Sequence, residues 1–500
     1  MKNEKKKPCL TVLSGRAGCG KTQHMLHEIA TQPGRYVLVV PRKDLLEEHV
    51  ASLKTISSSN STSLSVKPIH SDQSTRGNIA RRIGDALQDA AQDDHVAVVI
   101  THQALFEFDS ELLFDWNVRI DELPDGGIVS GSINLGATWQ ALDARYVLEP
   151  SERKGWSVAR PREGIAPLTR SEIMNDVHRD VARLHRALTA TAKKALINIQ
   201  EWKDASLKNR AVDWMSIWSP SDLVGCSSLS MTAASYKGSL VDHAVRKAGN
   251  MDVEIREIDA GNKRTGDPQI RIHYYTDHLG STKWWAEKEG VRCLVRISRH
   301  LEATKFPGFW TSNDAIKLCF DERFPGEWCS PKQAGSNGLR HHTGCAIIYS
   351  AKAQSADEPI LELLGLSRED IQASREDEDV YQFVMRGAIR NHDFDGRYDI
   401  YVYDRSQANH LQERLSEQGF ADVELIPVVD AGIMDVTRPK PATSKRTAVT
   451  DATSDAEHRK QARLIERKRG RERRESQRAE KIAAGNYRRP GRPKKASASV

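Results

Sequence analysis

Residues 10–22, LTVLSGRAGCGKT, constrain this chain more than any other stretch. An apolar run containing Leu10, Val12 and Leu13 enters a glycine-rich turn and leaves it through Gly20-Lys21-Thr22. From Gly15 to Thr22 the sequence fits G-x-x-x-x-G-K-[ST] without deviation. Gly15, Gly18 and Gly20 let the backbone curl until its N–H groups, that of Cys19 among them, face inward on an anion. A helix starting near Lys21 turns its positive end to the same point. Lys21 is suited to neutralise the β and γ charges of a triphosphate, and the Thr22 hydroxyl to ligate Mg²⁺. The stretch therefore predicts a strand, a phosphate loop and a helix start, with ATP and Mg²⁺ as cofactors.

Five hundred residues suggest two to four domains. The longest apolar runs, YVLVV at 36–40 and VAVVI at 96–100, are too short to span a bilayer, so no membrane association is expected. The basic start KNEKKK leads into the glycine-rich loop, where a signal peptide needs a long apolar region. Seven cysteines are scattered without a C-x-x-C pair, which points to a reducing, cytoplasmic setting and away from a zinc ribbon or disulfide framework. In a prokaryote or phage that setting would be nucleoid-associated. The net charge of +6 hides an asymmetry. Residues 456–500 carry 16 Lys/Arg against 5 Asp/Glu, a balance of +11, which leaves −5 for the body. Such a basic tail meets a polyanion most simply, and nucleic acid leads.

Tyr36 to Val40 reads as a buried strand ending at Pro41-Arg42-Lys43. DLLEEHVASLK follows as a helix with Asp44 as its cap. The Ser/Thr-rich residues 55–75 read as an exposed loop, and RGNIARRIGDALQDAA as a helix. Val96 to Ile100 is a second buried strand, running into Thr101-His102-Gln103-Ala104-Leu105. Asn117 to Ile120 is a short strand ending at Asp121-Glu122-Leu123-Pro124. This alternation predicts an α/β fold with a parallel sheet, whose ligands sit beyond the carboxyl ends of its strands. At such a strand end Asp121 can hold Mg²⁺ and Glu122 can act as general base on water. Residues 126–226 read as an elaboration between core strands. They hold a glycine-rich loop (GGIVSGSINLG), a basic patch from Arg153 to Arg162, and two helices around 170–205. SSLSMTAAS (227–235) is a further strand.

In this order the elements resemble the DEAD/DEAH-like helicases and translocases of superfamily 2. The likeness is carried by the phosphate loop, Pro41-Arg42-Lys43-Asp44-Leu45, Thr101 to Leu105, the Asp121-Glu122 box and Met231-Thr232-Ala233. The box reads Asp-Glu-Leu-Pro, and no adenine-reading glutamine element precedes the phosphate loop. The resemblance implies two RecA-like P-loop domains with parallel sheets. Residues 1–245 would form the ATP-binding domain, interrupted at about 126–226, and 246–430 the second domain.

In the second half QIRIHYY (269–275), VRCLVRI (291–297), YDIYVYD (398–404) and residues 422–427 read as strands, with a helix at 406–418. GFWTSNDAIKLCFDE (308–322) reads as a strand, a Thr311-Ser312 turn and a helix. Its hydroxyls resemble the family's nucleic-acid backbone contacts. AGSNGLRHHTGCAIIYS (334–350) resembles the family's fifth motif, which adds Gly338 to those contacts. His341-His342 has no metal-ligand cluster near it in sequence and reads as a loop or nucleic-acid contact. In YQFVMRGAIRN (381–391), Gln382, Arg386 and Arg390 fall at i, i+4 and i+8, one face of a helix. They resemble the sixth motif, Q-x-x-G-R-x-x-R, with Met385 at its glycine and the second arginine one residue later. The resemblance implies that Gln382, Arg386 and Arg390 reach the ATP held by the first domain, where the arginines stabilise γ-phosphoryl charge.

From about 431 a Pro/Ser/Thr-rich linker extends to 455, and 456–500 reads as a disordered or solvated helical basic tail. Its end, Arg488 to Lys495, resembles an AT-hook: Arg489, Gly491, Arg492, Pro493 and Lys494 would lie in an A/T minor groove. A localisation signal or an unspecific basic arm has the same composition. The expectation is an ATP-dependent DNA helicase or translocase serving DNA replication or maintenance, with RNA as partner still open. A packaging-type motor ATPase and a DNA-binding regulatory protein with a degenerate motor are the alternatives.

Overall fold

Inner strands buried on both faces build the centre of the first sheet. The chain is described here from a computed structural model, which covers residues 7–70, 79–124, 126–165, 179–208, 211–223, 225–258, 264–332 and 338–438. Strands β1 (Cys9–Ser14), β2 (Gly34–Val40), β3 (Ser65–Pro68), β4 (His95–Thr101) and β5 (Asn117–Ile120) alternate with helices α1 (Lys21–Thr31), α2 (Lys43–Ser59), α3 (Ile79–Asp89) and α4 (His102–Leu105). The chain then leaves for a second sheet of β6 (Ile128–Asn134), β7 (Tyr146–Pro150), β8 (Trp156–Pro161), β9 (Lys194–Asn198) and β10 (Ala211–Ile217). It returns to the first sheet as β11 (Ser228–Ala233), α5 (Leu240–Ala248) and β12 (Asp252–Glu257). The first sheet has the order β12-β1-β11-β5-β2-β4-β3 and is parallel throughout. β12 thus belongs to this sheet although it lies beyond residue 245.

Alternation along each strand sends side chains to opposite faces. Tyr36, Leu38 and Val40 pack with Met25 and Ile29 of α1 and Leu46 and Leu53 of α2. Val37 and Val39 pack on the other side with Ile83 and Leu87 of α3. Helices therefore cover both faces of the sheet.

The third sheet repeats this plan. Its strands are β13 (Gln269–Thr276), β14 (Phe309–Ser312), β15 (Glu327–Trp328), β16 (Gly344–Ile348), β17 (Arg397–Asp404) and β18 (Val423–Pro427). Their order is β15-β14-β16-β17-β13-β18, again all parallel. Helices α6 (Lys288–Ala303), α7 (Glu358–Leu364), α8 (Glu378–Val384) and α9 (Arg405–Glu417) accompany it. The expected α/β fold with two RecA-like parallel sheets is the fold observed. The tail from 439 onward lies outside the described residues.

Several local expectations are corrected. Residues 291–297 are not a strand but part of α6. Gly290, Cys293, Leu294, Ile297, Ser298 and Leu301 are its buried positions, a three-to-four spacing, while Val291 is exposed. The Ser-rich 55–59 segment prolongs α2, residues 65–68 form β3, and Asp44 sits inside the first turn of α2 rather than at its cap, which is Arg42. Thr311 and Ser312 end β14 instead of forming a turn, and the helix expected after them is only a 3₁₀ turn, Lys317–Cys319.

The 126–226 stretch contains a five-stranded sheet of its own, with helices against it. Its strands are antiparallel in the order β6-β10-β9-β8-β7, so the glycine-rich "loop" is β6 and the basic patch contains β8. Gly131 is required there by Trp214, whose Nε1 would lie 2.8 Å from an added Cβ. One face has its own core, including Ile133, Leu184, Trp202 and Trp214. The other sets Ile128, Trp156 and Met215 against Ile360, Leu363 and Leu364 of α7.

Gln382, Arg386 and Arg390 do not share a helical face. α8 ends at Val384, and Ala388–Arg390 is a 3₁₀ turn. The cause is a competition for hydrogen bonds. The Tyr398 hydroxyl donates to the Val384 carbonyl (3.0 Å), and the Ala388 N–H donates to His342 O (2.8 Å). The bond that would continue the helix is thereby replaced at both of its ends. Gly387 passes so close to the buried Tyr398 that a Cβ would meet its hydroxyl oxygen at 2.1 Å. Gly387→Ala is expected to destabilise this half of the protein by about 1–3 kcal/mol, the usual cost of overpacking. A lowered melting temperature by calorimetry checks this.

Candidate active site

The phosphate loop lies at the carboxyl end of β1. Gly20 caps α1 in the left-handed region (φ 88°), and α1 begins at Lys21. Gly18 is also left-handed (φ 82°), which brings the loop's N–H groups round to one side. Lys21 folds over the loop, donating from Nζ to Gly15 O (2.6 Å) and Arg16 O (2.9 Å). Burial draws its pKa below the ordinary lysine value, against the pull of Cys19, Glu122 and Asp121.

The two acids follow β5, separated from β1 by β11. Asp121 is 3% exposed and bonded on every side. Its Oδ1 accepts from Thr22 Oγ1 and Thr232 Oγ1, both at 2.8 Å, and its Oδ2 lies 2.9 Å from His49 Nε2. Its N–H donates to Val39 O (2.8 Å), and its carbonyl meets His102 Nε2 (2.9 Å). Burial acts to raise the Asp121 pKa. The hydrogen bond and charge of His49, with the Thr22 and Thr232 hydroxyls, outweigh it and hold the carboxyl below its usual value. Glu122 takes φ 63°, a strained value for a non-glycine residue. Its N–H donates to Thr232 Oγ1 (2.8 Å), which ties the turn to β11. Desolvation, then the neighbouring Asp121 charge, push Glu122 up to about 7, against Arg386, Lys21 and Arg390.

Both arginines come from the half of the molecule built on the third sheet, and they arrive at its amino end, just before β17. Arg390 lies against the phosphate loop: a Cβ on Gly18 would come 3.3 Å from Arg390 Cγ. Its Nε is buried without a hydrogen-bond partner among the described residues. Arg386 is 4% exposed and donates to Ser330 O (3.2 Å) and Pro331 O (3.3 Å). Burial draws its pKa down to about 10, opposed by Cys329 and Glu122. Ala17 of the phosphate loop and Ala234 after β11 pack onto the core beneath the third sheet. The Gln382 amide donates to Glu378 (2.8 Å) on its own helix.

These residues suit a magnesium triphosphate. Lys21 and Arg390 bring positive charge to the loop, Arg386 acts on Glu122, and the orphaned Arg390 Nε offers a donor. Thr22 Oγ1 and Asp121 Oδ1, 2.8 Å apart, are the hard oxygen donors that Mg²⁺ prefers.

The expected nucleic-acid contacts are not gathered in one place. Thr311 and Ser312 are buried at the carboxyl end of β14. Asn313 fixes the chain after them through two bonds to Ser350, at 2.9 and 2.8 Å. Gly338 precedes β16, and β14 and β16 run parallel with Ser312 opposite Ile348. Gly338 therefore lies at the other end of the sheet, on the side of the arginines. Arg489, Gly491, Arg492, Pro493 and Lys494 lie outside the described residues.

No protein-family model matches the chain. No curated protein matches it either. Among solved structures it is similar to a variant of S. cerevisiae Dbp5 bound to RNA and ADP BeF3. That likeness has 8% identity and a TM-score of 0.36, and covers 85% of this chain and 87% of that one. It is also similar to the yeast DEAD-box splicing factor Prp28 (10%, TM-score 0.23, covering 87% and 82%) and to T4 UvsW (9%, TM-score 0.20, covering 84% and 73%). Likenesses this distant decide nothing about activity. The RecA-like reading stands on the strand order of the two sheets.

Three residues of the site had no role from sequence: His49, His102 and Thr232. Thr232 was visible as a strand-end hydroxyl. His102 was visible within the Thr101 to Leu105 element, without a role of its own, and His49 carried no local pattern; each acts through a tertiary contact with Asp121. His49→Ala leaves Asp121 Oδ2 buried and unpaired. It is expected to cost about 1.5–3 kcal/mol, the range for a hydrogen bond to a charged group, with His49→Gln recovering part of the loss. Thermal unfolding of the two variants beside the parent measures both effects.

Proposed function

We propose that this protein is an ATP hydrolase that moves on or unwinds nucleic acid, with DNA as its substrate. The supporting observation is that Arg390 lies against the phosphate loop and that both Arg386 and Arg390 act electrostatically on Glu122, although they belong to the half built on a different sheet. Residues 1–258 form the nucleotide-holding half, with the antiparallel sheet as an insertion. Residues 264–436 form the arginine-bearing half, since Ala431, Ile433 and Val436 pack on its core, and are followed by a linker to 455 and the basic tail.

In this reading Lys21 exchanges the Gly15 and Arg16 carbonyls for β- and γ-phosphate oxygens. Thr22 and Asp121 hold Mg²⁺, which when bound supplies charge neutralisation for the phosphates. His49 and Thr232 keep the Asp121 carboxylate oriented. Glu122 accepts a proton from the attacking water at its carboxylate. Arg386 and Arg390 hold the charge that grows on the γ-phosphoryl oxygens, so the site is complete only while the two halves are together. Hydrolysis removes the phosphate bridging them, and the halves part. Gly338, exposed at the other end of the third sheet, contacts the strand, whereas Thr311 and Ser312 are buried in this structure and reach it only if the end of β14 opens. The basic tail, ending in Arg489, Gly491, Arg492, Pro493 and Lys494, raises the local DNA concentration.

Lys21→Ala and Glu122→Gln are each expected to lower ATP turnover by about 10²-fold or more, and Arg386→Ala by about 10³-fold. Steady-state phosphate release, with and without DNA or RNA, measures all three. Full turnover by both Lys21→Ala and Glu122→Gln would overturn the hydrolase. Absence of stimulation by any polymer would overturn movement on nucleic acid, and stimulation by RNA alone would overturn the choice of DNA. Removal of residues 456–500 is expected to weaken duplex DNA binding and flatten its dependence on salt, as seen in a binding titration at several salt concentrations.

A further inference from the structure

The fold supplies His341-His342 with the third donor that the sequence did not show. Glu327, on the edge strand β15, lies beside the turn that carries both histidines. The donor atoms of the three side chains all fall within 4.8 Å of one another. His342 Nε2 is 3.1 Å from Glu327 Oε2, and the two imidazole centroids are 3.9 Å apart. His341 Nδ1 is 2.9 Å from Gly338 O. A carbonyl only accepts, so Nδ1 carries the proton of the neutral ring and Nε2 offers its lone pair. A histidine that ligates a metal through one nitrogen is commonly held this way, its other N–H given to a backbone carbonyl.

We propose that Glu327, His341 and His342 bind a divalent transition-metal ion of the zinc class. Two imidazoles and a carboxylate match the donor preference of Zn²⁺, with water as the fourth ligand. Metal–ligand distances near 2.0–2.2 Å place tetrahedral donors about 3.4 Å apart. Glu327 and His341 are exposed, and His342 is only partly buried, so side-chain rotation can draw the donors in from their present spread.

The place of the site in the fold gives it a consequence. The His342 carbonyl accepts from Ala388, two residues beyond Arg386. Ser330 and Pro331, shortly after Glu327, hold the Arg386 guanidinium. An ion joining Glu327 to the histidines would cross-link the two segments that seat Arg386. Metal binding itself does not depend on the proposed hydrolase, whereas any effect on turnover does.

The test titrates Zn²⁺ into full-length, tag-free, chelator-treated protein by calorimetry. Co²⁺ replaces it in a parallel absorption experiment. One saturable site is expected, weakened about tenfold or more by His341→Ala and also by Glu327→Gln. His410→Ala, a change at an exposed histidine remote in sequence, is expected to leave it unaltered. The Co²⁺ spectrum should show visible bands of a four-coordinate nitrogen/oxygen site. Equal affinity in parent and both variants, no saturable binding, or a sulfur-to-cobalt charge-transfer band assigning the ion to cysteines would each overturn the proposal.

Discussion

A single buried carboxylate organises the first half of this molecule. Asp121 receives Thr22 from the phosphate-loop helix, His49 from α2, His102 from α4 and Thr232 from β11. A carboxylate removed from water is costly unless its oxygens are bonded. Here the carboxylate bonds come from three separate elements, with His102 on the backbone carbonyl, so satisfying the charge also fixes where those elements sit. The strained Glu122 follows directly, held by Thr232 at its backbone. Its raised pKa comes first from burial and then from the Asp121 charge beside it.

The second half presents its arginines by breaking a helix rather than extending one. Had α8 continued, Arg386 and Arg390 would have followed Gln382 along one face. Instead, Tyr398 takes the Val384 carbonyl and His342 takes the Ala388 N–H, so the chain turns over Gly387. This turn is what places Arg390 against Gly18 of the other half. The same stretch of backbone is bonded to the histidine turn, which links the arginine geometry to the proposed metal ligands.

The antiparallel sheet is tied to the same centre. It begins just after Glu122 and returns to the first sheet as β11, which carries Thr232. Its far face packs Trp156 and Met215 on α7 of the second half, and the Trp156 indole donates to Glu362 (3.0 Å). The sheet therefore touches both halves while being anchored at the two strands whose ends form the acid turn.

The sequence by itself determined the parts of the fold governed by short-range pattern. The phosphate loop was legible because glycine spacing and a lysine-threonine pair fix its local geometry. β2 and β4 were legible because a parallel sheet covered on both faces needs continuous apolar runs. Where local pattern was ambiguous, sequence reading failed: the valines of 291–297 suggested a strand until burial revealed a helical period, and the glycines of β6 suggested a loop until Trp214 explained them. Tertiary structure alone decided the contacts of His49 and His102 with Asp121, the break after Val384, and the arrival of Glu327 beside His341 and His342. Each depends on residues far apart in the chain, where no local spacing can encode a distance. The identity of the chemical groups was written in the sequence, and their convergence was set by packing.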